Sequence, residues 1–257
     1  MKKLIAILMV LTLMVSMTAC ARLISTVING QTEPPVTTAA PTAPPTTVPP
    51  ETTPPTTTPP ETTLPATTPP ATEPQLEDNY YVGQTVNNVY TNAFLGITCQ
   101  LDDRWLVYDE DQLAQLAGLT ADLMNNEQLE NAIEQGTVVT AFYASSGQEN
   151  MNITLERLSL INGILMDEED YVELAKDQLK AALERTGCIN VTVDPAKLPF
   201  AGEECHGVKV YASLQGVDVY ETIICIKNGN YMVCAVFCSA VTDTTESMME
   251  MFQKLPE

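Results

Sequence analysis

The chain has little positive charge. Its 257 residues contain 12 Lys and Arg against 33 Asp and Glu, and one histidine. A basic complement this small excludes a nucleic-acid footprint, which needs clustered Lys and Arg. It also argues against the folded part lying on an anionic lipid surface. With His206 alone there is no His pair for a zinc site, and no Cys-x-x-Cys knuckle accompanies it. The Asp-x-Asp-x-Asp-Gly pattern of a calcium loop is also absent. No apolar run reaches the ~20 residues that a membrane-spanning helix needs. Proline is scarce in the second part of the chain: 15 of the 18 prolines fall between Pro34 and Pro74.

What is present begins with an address. Lys2 and Lys3 precede an apolar run from Leu4 to about Met17, broken by Thr12 and Ser16. That is the layout of a secretory signal. It ends in Met17-Thr18-Ala19-Cys20, which resembles the lipobox of bacterial lipoproteins, with Met17 in place of the usual Leu. The resemblance implies that residues 1–19 are a lipoprotein signal peptide. Cys20 would then carry a thioether-linked diacylglyceryl group and become the mature N-terminus. More than one acyl chain holds a protein stably at a membrane, so the implied place is the extracytoplasmic face of the cell membrane, lipid-anchored. Ordinary cleavage after Ala19, giving a free secreted protein, is the alternative.

Residues 20–78 read as a stalk. Pro, Thr, Ala and Glu make up nearly all of 33–75, and a five-residue period runs through Pro49-Pro50, Pro54-Pro55, Pro59-Pro60, Leu64-Pro65 and Pro69-Pro70. Such a tract cannot bury a core and favours extended polyproline II, so it is expected to be disordered. At ~3.1 Å per residue it could span roughly 120 Å.

Residues 79–257 read as one domain, monomeric and acidic: from 78 onward there are 28 Asp and Glu against 9 Lys and Arg. Strands are expected at Val89–Phe94, Gly96–Leu101, Arg104–Tyr108, Thr137–Ala144, Met151–Leu158, Cys205–Leu214, Val217–Ile226 and Tyr231–Ser239. Helices are expected at Asp109–Leu116, Ala121–Gln135 and Asp167–Thr186, with a last one running through Met248, Met249 and Phe252. The Asp167 helix has the clearest signals: an N-cap Asp, acids in the first turn and apolar i, i+3, i+4 spacing through Tyr171, Ala175, Leu179 and Ala182. Gln215-Gly216 and Asn228-Gly229 are the expected hairpin turns. Both faces of the last hairpin are apolar: Ile223, Cys225, Met232, Cys234 and Val236 on one, Ile224, Val233, Ala235 and Phe237 on the other. Both therefore need covering. An α+β fold follows, an antiparallel sheet with helices on both faces, that is, a three-layer α/β/α sandwich.

Tyr90-Thr91-Asn92-Ala93-Phe94-Leu95-Gly96-Ile97, followed by Leu101 and Trp105, resembles the opening of the PsbP-like fold, which includes DcrB-like bacterial lipoproteins. That superfamily shares no catalytic residues. The resemblance implies a binding or accessory module rather than an enzyme, and no cofactor.

One constellation stands out within the domain. Pairing through Gln215-Gly216 places His206 opposite Cys225, and Cys225 neighbours Cys234 across the next hairpin. His206, Cys225 and Cys234 therefore share a sheet face and are the candidate soft-metal ligands, or a Cys–His dyad. Buried packing is the competing reading. If the turn sits at Gly229-Asn230 instead, Cys225 and Cys234 come within disulfide reach. Most of the six cysteines after Cys20 read as free buried thiols. Trp105 reads as core. The expected function is a membrane-anchored protein presenting a domain that binds a small ligand or an envelope protein. A metal-handling or enzymatic domain using the His206/Cys225 face, and a structural envelope component, are the alternatives.

Overall fold

The computed structural model describes residues 80–109, 111–113, 138–158, 163 and 165–256. The signal segment, Cys20, the stalk, the expected helix Ala121–Gln135 and most of the helix expected at Asp109–Leu116 lie outside the described residues. The start of that last helix is visible. Residues 111–113 are helical, and Asp109 and Gln112 cap each other reciprocally: Gln112 N donates to Asp109 Oδ1 at 2.9 Å and Asp109 N to Gln112 Oε1 at 3.0 Å.

In chain order the elements are β1 (Gln84–Val86), β2 (Val89–Asn92), β3 (Ile97–Gln100), β4 (Leu106–Val107), β5 (Val139–Ser146), β6 (Glu149–Arg157), α1 (Glu168–Arg185), β7 (Ile189–Phe200), β8 (Glu203–Leu214), β9 (Val217–Asn228), β10 (Tyr231–Ala240), α2 (Thr245–Met249) and β11 (Phe252–Lys254). They form a seven-stranded sheet of order β4-β5-β6-β10-β9-β8-β7 and a four-stranded sheet of order β1-β2-β3-β11. Every pairing is antiparallel.

The large sheet is buried on both sides, as its apolar central strands require, but its two covers differ. On one side lies α1. Asp167 caps it by accepting from Asp170 N at 2.9 Å, and Tyr171, Val172, Ala175, Leu179, Ala182 and Leu183 pack against Val208, Val210, Ile223, Cys225, Met232, Cys234 and Val236. On the other side lies the four-stranded sheet, joined by α2. Tyr90 stacks on Phe142 with ring centroids 4.3 Å apart, and Phe252 meets both Phe200 and Phe237 at 5.3 and 5.6 Å. Aromatic rings bury much area each, so a small sheet carrying Tyr90 and Phe252 suffices as a lid. The expected helix-covered sandwich is thereby corrected: α+β holds, but among the described residues a second sheet covers one face. The cause is local. Met248, Met249 and Phe252 have helical spacing, yet α2 ends at Met249, and Phe252 reaches the core as a strand residue opposite Cys99.

Two further differences follow from backbone chemistry. The strand β7 was not expected because it contains Pro195 and Pro199. It is the edge strand of the large sheet, where a residue without an N–H costs no ladder bond. The β9–β10 turn sits at Gly229-Asn230, not Asn228-Gly229, and Asn228 pairs with Tyr231. Gly229 has φ +58° and takes the first central position, where a type II′ turn demands glycine. The Asn228 side chain is engaged elsewhere, donating to Phe94 O at 2.7 Å. Gln215 and Gly216 both have positive φ, as a type I′ turn requires, and hold the expected β8–β9 register.

Candidate functional site

The site begins with the alternation in β6. Met151, Ile153 and Leu155 join the aromatic core under the small sheet. The intervening residues, Asn150, Asn152, Thr154 and Glu156, lie on the α1 side, opposite Cys238, Val236, Cys234 and Met232 of β10. A strand that alternates this way in an exposed sheet would show its polar half to water. Here Asn150, Asn152 and Thr154 are buried, and Glu156 is half-buried. Burying such groups costs free energy unless each finds a partner.

Two of them do. Thr154 Oγ1 donates to Cys234 O at 3.5 Å, and Glu156 Oε1 accepts from the Tyr171 hydroxyl of α1 at 3.0 Å. Asn152 does not. Its Oδ1 and Nδ2 are both buried with no hydrogen-bond partner. A carboxamide offers two donors and two acceptor lone pairs, so Asn152 holds an unused donor–acceptor pair inside the protein.

The proton affinities of Glu156, Tyr171 and Cys225 in this strip are pushed toward the neutral forms. Burial raises the Glu156 carboxyl to about 7, with the Tyr171 hydrogen bond opposing. The Tyr171 hydroxyl is raised by burial and then by Cys234, Glu156 and Cys225 nearby. The Cys225 thiol is raised by its hydrogen bond with Cys234 and by burial. At neutral pH the strip therefore presents the Tyr171 phenol, the Cys225 thiol, a hydroxyl and an amide, beside a carboxyl close to its midpoint. Lys227 is fixed at the rim: its Nζ donates to Met166 O at 2.7 Å and its N to Glu168 Oε1 at 3.0 Å, pinning the start of α1 to β9.

The structure places the three expected site residues in one row. His206 pairs with Cys225, Cys225 with Cys234, and the row continues through Thr154 to Thr140. The Gly229-Asn230 turn makes Cys225 and Cys234 direct partners rather than diagonal ones. His206 sits at the far end, in a crevice of about 190 Å³ lined by Glu169, Glu173, Lys197 and Gly207. Among the described residues no group of three or more His, Cys, Asp or Glu side chains is placed to hold a metal ion. The Cys225 thiol is also a poor ligand and nucleophile, because the reactive form is the thiolate and Cys225 is held well above its ordinary pKa. Cys99, Cys188, Cys205, Cys225 and Cys234 are free thiols, all buried but the half-buried Cys205, in keeping with the packing reading. Trp105 is core, as expected.

Sequence reasoning did not single out Asn152, Glu156 and Tyr171. The available signal was the strict alternation from Asn150 to Glu156 in a strand that lies beside β10, whose own two faces are both apolar.

No protein-family model matches the chain, and no curated protein sequence matches it. Among solved structures, LpqN, involved in cell envelope biogenesis of Mycobacterium tuberculosis, is similar at 12% identity and a TM-score of 0.36, over 62% of this chain and 83% of that one. A protein from Bacteroides thetaiotaomicron VPI-5482 is similar at 8% identity and a TM-score of 0.32, over 66% of this chain and 49% of that one. Likenesses this distant do not say what the chain does. No described helix is long and apolar enough to cross a membrane.

Proposed function

We propose that this protein is a lipid-anchored extracytoplasmic protein whose domain binds a small, uncharged, hydrogen-bonding ligand on the α1 side of β6. The observation that carries the binding reading is Asn152, a buried carboxamide whose donor and acceptor both lack partners. An unpartnered buried amide costs about 1–3 kcal/mol, a cost that a ligand supplying the complementary donor and acceptor would remove on binding. The neutral surroundings favour an uncharged partner, since a charge placed among buried thiols and a phenol would be poorly solvated. A metal-handling or enzymatic role for the His206–Cys225–Cys234 row is supported less well, because Cys225 is held as a thiol.

The anchoring half of the proposal rests on Met17–Cys20 and the stalk composition. Cys20→Ser is expected to release the protein from the membrane fraction or leave it unprocessed. A variant that matures and fractionates like the wild type would refute the anchor. For the binding half, wild type and Asn152→Leu would be equilibrated with a small-molecule extract of cell envelopes and repurified by size. Each protein would then be denatured and the released compounds identified by mass spectrometry. The wild type is expected to release at least one compound that the variant does not. Identical release from the two proteins would remove Asn152 from any binding role.

A further inference from the structure

The hairpin turn determines the chemistry of a second feature, independent of ligand binding. Asn228 and Tyr231 close the two-residue loop, so they form a hydrogen-bonded pair. Hydrogen-bonded and non-hydrogen-bonded pairs alternate along an antiparallel ladder, which makes Lys227–Met232 non-hydrogen-bonded, Ile226–Val233 hydrogen-bonded and Cys225–Cys234 non-hydrogen-bonded. At such a position the Cα atoms lie about 4.5 Å apart and the side chains are at their closest. That spacing is at the short end of what a disulfide tolerates, about 4.4–6.8 Å. Both side chains point to the α1 face, and both are free thiols. Two free thiols paired directly on neighbouring strands are uncommon among the cysteines here: Cys99 and Cys205 have no cysteine opposite them.

We propose that Cys225 and Cys234 form a reversible cross-strand disulfide, made by exchange with a disulfide oxidant, for which the paired free thiols are the reduced form. One protein thiolate attacks a sulfur of the oxidant, and the oxidant's other sulfur leaves as a thiol. The second protein thiolate then attacks the mixed disulfide and releases the first oxidant sulfur, also as a thiol. Two protein S–H bonds are replaced by one S–S bond, and the S–S bond of the oxidant becomes two S–H bonds. Cys225 and Cys234 are 1% and 0% exposed, so the exchange belongs to a state in which α1 is not yet docked on β9 and β10. Once α1 packs, the bond is sealed beneath Tyr171 and protected from reductant. In an exported chain, folding meets such oxidants. Oxidation also redraws the wall of the polar strip, since Cys234 O accepts from Thr154 and Cys234 lies beside Tyr171.

The test uses the full chain, denatured, reduced and refolded in a glutathione redox buffer. The remaining thiols are alkylated after quenching and unfolding, and the protein is digested with trypsin without reduction. Cleavage after Lys227 separates the two cysteines, so a disulfide leaves their peptides joined, and fragmentation of the joined pair tells Cys234 from Cys238, which share the second peptide. The joined pair is the expected result. Alkylation of both cysteines, or Cys234 joined to a different cysteine while Cys225 is alkylated, would overturn the proposal. A melting comparison covers incomplete refolding. Adding reductant to the unfolding reaction is expected to lower the Tm of the oxidised wild type by several degrees more than that of Cys225→Ala. Equal shifts would overturn it.

Discussion

Two asparagines lie on opposite sides of the fold and are buried to the same degree, Asn92 at 0% exposure and Asn152 at 1%. Asn92 uses its whole carboxamide. Its Nδ2 donates to Tyr81 O at 3.1 Å and lies 2.9 Å from the Tyr90 hydroxyl, and its Oδ1 accepts from Leu95 N at 2.9 Å. The Tyr90 hydroxyl in turn donates to Val82 O at 2.9 Å. These bonds tie the segment before β1 to the β2–β3 turn, under the aromatic layer. Asn152 uses none of its capacity. The aromatic side is therefore nearly finished: among its described buried side chains only the Trp105 Nε1 lacks a partner. The α1 side keeps a polar strip whose capacity is only partly spent. Buried polar groups that are fully matched specify a fold, whereas those left unmatched cost stability and need another reason to exist.

The contrast can be broken most directly at Asn92. Asn92→Leu removes three hydrogen bonds, among them the one that Leu95 N makes, so it should cost on the order of 3–4 kcal/mol in urea unfolding. A cost below about 1 kcal/mol would show that these bonds do not hold the aromatic side together.

A second test addresses the strip itself. Burial raises the Glu156 carboxyl from 4.5 to about 7. Between those values the folded state binds more protons than the unfolded state, so stability falls as pH rises through that window and levels off above it. The stabilisation is fully present below the unfolded value and lost above the folded one. After allowance for partial exposure, the difference between pH 4.5 and 7.5 attributable to this group should be on the order of 2 kcal/mol. Denaturation of wild type and Glu156→Gln at both pH values isolates it: the wild type should lose that much more stability than the variant. Parallel pH profiles would mean that Glu156 is not desolvated as described.

Much of the architecture was legible in the sequence, for stated reasons. The apolar pattern of β9 and β10 announced a sheet buried on both faces, and Asp167 with its acidic first turn located α1. What covers the second face was not legible, because Met248, Met249 and Phe252 fit a helix as well as they fit a short helix followed by a strand. Proline hid β7, since an edge position can be recognised only once strand order is known. The His206, Cys225 and Cys234 row was legible from hairpin pairing, but its register depended on whether Asn228 or Gly229 took the first turn position. The polar strip of β6 could be read as alternation but not as buried, because burial depends on α1 and on strands distant in sequence.

The central claim is that the unpaired amide of Asn152 is kept for recognition rather than for folding. Urea unfolding of Asn152→Leu, free of added small molecules, tests it most directly. Leucine fills a similar volume and removes the unmatched donor and acceptor, so the variant should equal or exceed the wild type in stability, by up to about 1–2 kcal/mol. A loss comparable to that of Asn92→Leu would show that Asn152 is a satisfied structural group and would contradict the account.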